Sequence, residues 1–182
     1  MISKIICFLV LSLVSADQDP TKVCSPDQVS FYSYNIEKDV ISLVNIDYKS
    51  KIMAVALGNT TVVNDLQSEK SYITENGTCQ SSDLPKDPYP QCLPANAVQL
   101  ANITVGLGSN QLTGTVWQFP YNNGVLKVAF TNVPNAPNYP FLTRFVDDKG
   151  VVSASFFVDI ATNITQPALL KIPDLCPPKV IV

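Results

Sequence analysis

Short runs of apolar and β-branched residues, each closed by a polar turn, recur along almost the whole of this chain and leave little room for helices. Val29–Ile36, Asp39–Ile46 and Lys51–Leu57 are of this kind, separated by polar breaks such as Glu37-Lys38 and Tyr48-Lys49-Ser50. Runs this short, rich in Val, Ile, Tyr and Phe, read as successive antiparallel strands. Thr60–Leu66 and Ser71–Thr74 predict a further pair, ended by Asn76-Gly77. In the second half, Gln111–Phe119 leads through Pro120-Tyr-Asn-Asn-Gly124 into Val125–Thr131, where Asn-Gly suits a tight hairpin. There Leu126, Val128 and Phe130 alternate with Val125, Lys127 and Ala129, so the two sets face opposite ways. Phe141–Val146 and Val151–Thr162 predict the last hairpin, around Asp147-Asp-Lys-Gly150. Period two places Val152, Ala154, Phe156, Val158 and Ile160 on the core side.

Between these halves lies a segment of another kind. The segment is Ser81–Pro94, where four prolines within Asp83–Pro94 forbid a central strand and break helices, which predicts an extended surface crossover. Ala95–Ala101 reads as a helical turn or two. Several strands are apolar on both faces, as in Ile41-Ser-Leu-Val and Phe156-Phe-Val. With so little helix to cover a second face, burial calls for two stacked antiparallel sheets or a curved half-barrel, either filled or enclosing a cavity.

Residues 1–16 form a secretory leader: Lys4 is its positive end, Ile5–Val14 its apolar core, and Val14-Ser15-Ala16 its small-residue cleavage site. The apolar run is shorter than the roughly 20 residues that span a bilayer, and no later stretch approaches that length. Residues 17–182 are expected to form a single domain, with no integral membrane segment. The net charge is -3, and no basic block occurs, which argues against nucleic acid as a partner. Charged residues are only 15% of the chain, so an exported protein of this kind needs another source of solubility. Acceptor triplets for N-linked glycans at Asn59, Asn76, Asn102 and Asn163 supply one.

Cys7 leaves with the leader, and Cys24, Cys79, Cys92 and Cys176 remain. An even set in an oxidising compartment reads as two disulfides, with the pairing left open. No Cys-x-x-Cys and no histidine exist, so the spacings suit no zinc site. The missing histidine also excludes Ser-His-Asp and Cys-His catalysis. Paired carboxylates are the remaining enzymatic route. Asp147, Asp148, Asp83, Asp87 and Asp159 are its candidates, and each is better explained as a turn, loop or outward strand residue. The chain is therefore read as a binder rather than an enzyme. No EF-hand spacing is present, so no metal ligand is assigned.

Ser155-Phe-Phe-Val-Asp-Ile160, then Gln166-Pro-Ala-Leu-Leu-Lys-Ile-Pro-Asp-Leu-Cys176, resembles the ending of the ependymin-related proteins. Thr104-Val-Gly-Leu-Gly108 with Leu112 and Trp117, Ser71-Tyr-Ile-Thr-Glu75 before Cys79, and Asn45–Val55 resemble earlier parts of that family. The likeness departs at Thr131-Asn-Val-Pro134, where family members usually carry a cysteine, and at Cys92, which has no family counterpart. The resemblance implies that Cys79 pairs with Cys176, leaving Cys24 to Cys92. It also implies a mostly β fold similar to bacterial lipoprotein carriers, with two antiparallel sheets curved as a half-open barrel around an apolar pocket. Trp117, Phe130 and Phe156 are the residues expected to line that pocket. By the same resemblance the protein is secreted or lysosomal, binds lipid or another hydrophobic molecule, and is associated with calcium. Cell-matrix adhesion without a cavity is the alternative function. A homodimer is compatible with either.

Overall fold

The computed structural model describes residues 18–84, 90–132 and 136–176. The leader and the middle of each Pro-rich loop lie outside the described residues. The chain is mostly β. Its strands are β1 (Gln28–Asn35), β2 (Val40–Asp47), β3 (Ile52–Leu57), β4 (Thr60–Asp65), β5 (Lys70–Glu75), β6 (Thr78–Asp83), β7 (Val98–Leu107), β8 (Asn110–Tyr121), β9 (Gly124–Thr131), β10 (Pro140–Asp147) and β11 (Val152–Ala161). Helix is limited, among the described residues, to the single 3-10 turns Pro20–Lys22 and Pro167–Leu170. The helical turns expected over Ala95–Ala101 are absent: β7 begins at Val98, paired with Gln118 of β8.

All the strands belong to one antiparallel sheet, in the order β6-β5-β4-β3-β2-β1-β11-β10-β9-β8-β7, with β6 and β7 as its two edges. Two separate stacked sheets are not what the hydrogen bonding gives. Each half of the chain is an up-and-down meander, and the pairing of β1 with β11, Ser33 opposite Phe157, joins the meanders into one sheet.

Turn chemistry sets the registers. Between β8 and β9 the two turn residues are Asn122 and Asn123, with φ of 42° and 59°, the left-handed pair that a two-residue hairpin needs. The Asn-Gly signal in the sequence points one residue further on, to Asn123-Gly124. Gly124 instead opens β9, where a Cβ would stand 2.3 Å from the Val146 carbonyl oxygen and 2.7 Å from the Phe145 ring.

Strand β11 departs from simple alternation. Asp159 has a φ of 53°, and the register against β1 slips between Ser30 and Tyr32. This is a bulge, and one extra residue reverses which side chains face the core. Phe157 and Ile160, three apart, both pack on the buried cluster of Val29, Phe31, Val44, Ile46 and Met53. Phe156 and Val158, expected inside, are 43% and 50% exposed on the opposite face.

Leu126, Val128 and Phe130 share the inner face, as their alternation predicts, and Val128 and Phe130 pack with Trp117 and Phe119 of β8. On the outer face, Leu169 and Leu170 of the second 3-10 turn and Cys176 cover Ala54, Val63 and Tyr72. Beneath that C-terminal segment Ser30 Oγ donates to Asn45 Oδ1 at 2.6 Å and accepts from the Thr165 amide at 3.0 Å. Both Ser30 and Asn45 are fully buried; these bonds satisfy the Ser30 hydroxyl and Asn45 Oδ1, while Asn45 Nδ2 has no partner among the described residues.

Candidate functional site

The inner face holds a pocket of about 320 Å³. Phe31 and Ser33 of β1, Val44 and Ile46 of β2, and Met53 of β3 line one side. Phe119 and Tyr121 of β8 and Leu126, Val128 and Phe130 of β9 line the other, with Thr143 and Phe157 between them. Strands β3 and β8 stand six places apart in the sheet. At about 4.8 Å per strand, a flat sheet would separate them by roughly 29 Å. Both reach one small pocket, so the sheet bends around it.

Ser25, Pro90, Cys92 and Leu93 supply the wall that faces the sheet. They are held there by the Cys24–Cys92 disulfide, which ties the chain ahead of β1 to the crossover ahead of β7. The backbone adds to this tie: the Ser25 amide donates to the Gln91 carbonyl at 2.8 Å, and the Leu93 amide to the Val23 carbonyl at 3.0 Å. Gln91 Nε2 also donates to the Ser25 carbonyl at 3.1 Å. The other disulfide joins Cys79 to Cys176 on the outer face, over Tyr72 and Val63. The pairing implied by the family resemblance is the one the structure contains.

No charged side chain is among the described residues that line the pocket. Its aromatic contacts are close, with Phe31 and Phe157 ring centroids 4.5 Å apart. At the site, burial pushes the Tyr48 phenol up to about 12, while a hydrogen bond with Ser25 works the other way. Its neutral form is thus the folded form. Above pH ~10 the unfolded chain ionises first, so stability falls as the pH rises from about 10 towards 12. Tyr48→Phe should flatten that alkaline loss, as read by urea midpoints measured across the range. An unchanged alkaline slope would count against a buried Tyr48.

Of the residues expected at the pocket, Phe130 lines it. Trp117 does not: it is 2% exposed and packs beside the pocket against Val23, Leu93 and Ala97. Phe156 lies on the outer face, and Phe157 takes the place assigned to it. The sequence reading also missed Tyr48 and the crossover wall. Alternation within β1 and β2 would have found Phe31, Val44 and Ile46, whereas the crossover residues reach the sheet through long-range links, the disulfide and the packing of Leu93 on Trp117 and Phe119, that no local pattern announces.

Asn59, Asn76, Asn102 and Asn163 are all exposed, as acceptor asparagines must be. Asn102 Oδ1 accepts from Thr115 Oγ1 at 3.0 Å. Asp147 and Asp148 stand together at the β10–β11 turn, while Asp83 and Asp159 lie on other strands. Asp147 Oδ1 accepts from the amides of Lys149 and Val151 within its own turn, and Asp83 pairs with Lys70 on the β5–β6 edge. Asp159 sits at the bulge, and Asp87 lies outside the described residues. Among the described residues no three His, Cys, Asp or Glu side chains gather as metal ligands, and no helix is long and apolar enough to cross a membrane.

No family model matches the chain, and neither does any curated protein. Among solved structures, it is similar to an uncharacterized conserved protein from Thermus thermophilus. The two superpose with a TM-score of 0.54 at 14% identity, over 84% of this chain and 88% of the other. At that identity the likeness extends to the fold.

Proposed function

We propose that this chain is a secreted, N-glycosylated, ependymin-like protein that holds a hydrophobic ligand or lipid in its inner-face pocket, on a sheet curved as a half-open barrel like those of bacterial lipoprotein carriers. The observation that carries this reading is the pocket itself: concave, walled by aromatic and aliphatic side chains, and without a charged lining residue among those described. Sites of this character bind apolar molecules, because ligand and wall leave water together. The leader, the acceptor asparagines and the two disulfides support export.

Protein expressed with its own leader in a secretory host and then freed of glycans should carry co-purifying lipid in native mass spectra. It should also take up Nile red with a blue-shifted emission, and Val128→Trp, which fills the pocket, should reduce that uptake at least about tenfold. Protein that arrives lipid-free and leaves Nile red unshifted would sink this reading. Calcium enters through the family resemblance alone, and repeating the uptake with chelator tests it.

A second reading, extracellular matrix adhesion, draws on the outer face. Ile41 of β2 and Phe156 and Val158 of β11 stand exposed there on the two strands that flank β1, with Tyr34 of β1 opposite both Ile41 and Phe156. Matrix binding that Phe156→Ser abolishes, with Nile red uptake unchanged, would favour it.

A further inference from the structure

We infer that the pocket selects a neutral, single-chain amphiphile bearing a hydroxyl or ester group, a long-chain alcohol or monoacylglycerol, over an ionised fatty acid. The inference rests on the reading of the pocket as a hydrophobic-ligand site and specifies the polar end of that ligand. Ser33, Thr143 and Ser155 place three hydroxyls on the pocket wall. They come from the adjacent strands β1, β10 and β11. Ser155 stands directly opposite Thr143, and Ser33 opposes Phe157, two residues further along β11. Opposed side chains in such a sheet are about 5 Å apart and diagonal ones about 7–8 Å, so the hydroxyls form one patch.

None of the three hydroxyls bonds another described residue. Tyr48 and Ser25, the polar pair on the far wall, already bond each other. The patch is therefore the place in an otherwise apolar pocket where donors and acceptors stand free for a ligand. Hydroxyls both donate and accept, which suits an alcohol or ester oxygen. A carboxylate there would be a buried charge with no cation among the described lining residues, and burial without a partner strongly disfavours the ionised form. The volume, about 320 Å³, lies at the small end of ligand sites, which run from about 300 to 1,000 Å³. It suits one acyl chain better than two.

The test is displacement of Nile red from the intact secreted protein by dodecanol, monododecanoylglycerol and dodecanoate near neutral pH. Dodecanol and the glycerol ester should displace it at concentrations about tenfold or more below dodecanoate. In a combined Ser33→Ala, Thr143→Val, Ser155→Ala variant that gap should shrink to about twofold or less, with Nile red itself still bound. Each single replacement should shrink it in part, which keeps the test open if the combined variant does not fold. Equal displacement by dodecanoate and dodecanol, or a gap that survives removal of the hydroxyls, overturns the inference and leaves the pocket reading standing. Failure of the unmodified protein to bind Nile red overturns the pocket reading instead.

Discussion

Replacing Cys24 and Cys92 together by serine should cost roughly 2–4 kcal/mol of stability and, separately, open the pocket. The bond closes a loop of 68 residues, which includes β1–β6, and its loss frees the unfolded chain to explore many more states. In a domain of this size the melting temperature should fall by about 10 °C. The same cut releases the wall formed by Ser25, Cys92 and Leu93, so Nile red uptake should drop at least about tenfold in the variant that still folds. Cys79→Ser with Cys176→Ser is the control. That bridge closes a loop of 97 residues and should cost a similar amount, yet it sits on the outer face and should leave uptake intact. Equal loss of binding in both double variants would show that the crossover has no special place in the site.

Phe157→Ala should destabilise by about 3 kcal/mol, with a melting temperature lower by about 6–12 °C. Its ring stacks against Phe31, fills the cluster of Val44, Ile46 and Met53, and forms part of the pocket wall. Phe156→Ala, one residue earlier, should change stability by less than about 1 kcal/mol, because that ring is 43% exposed on the outer face. Thermal and urea unfolding of the two variants side by side reads the contrast. A larger loss at Phe156 than at Phe157 would place the bulge wrongly.

That pair marks where sequence patterning stops being sufficient. Strands β1–β5 and β8–β11 were legible because their alternation and polar turns are local signals. The inward set Leu126, Val128 and Phe130 followed from the same period. In β11 the period is broken by Asp159, whose left-handed backbone no pattern of apolar residues announces. Strands β6 and β7 were missed for another reason. As edges of the sheet they are mostly exposed, so Thr78–Asp83 carries almost no apolar residues and reads as loop. Trp117 was expected to line the pocket and instead packs beside it. Its neighbours Val23 and Leu93 come from segments far away in the chain, and their arrival turns a cavity position into a packed one. The union of the two meanders into a single sheet is likewise a long-range fact.

That union carries a consequence for how the molecule is made. β1 leaves the ribosome first among the strands and β11 last, yet they are neighbours at the centre of the sheet. Throughout synthesis of the intervening chain, β1 presents a bare hydrogen-bonding edge that only the final strand can cover. Contacts this distant in sequence form slowly, and an uncovered edge invites pairing with other chains. The sheet is thus completed late, as β11 docks, and a nascent chain stopped before Val152 would be exposed to aggregation however well its first six strands had formed.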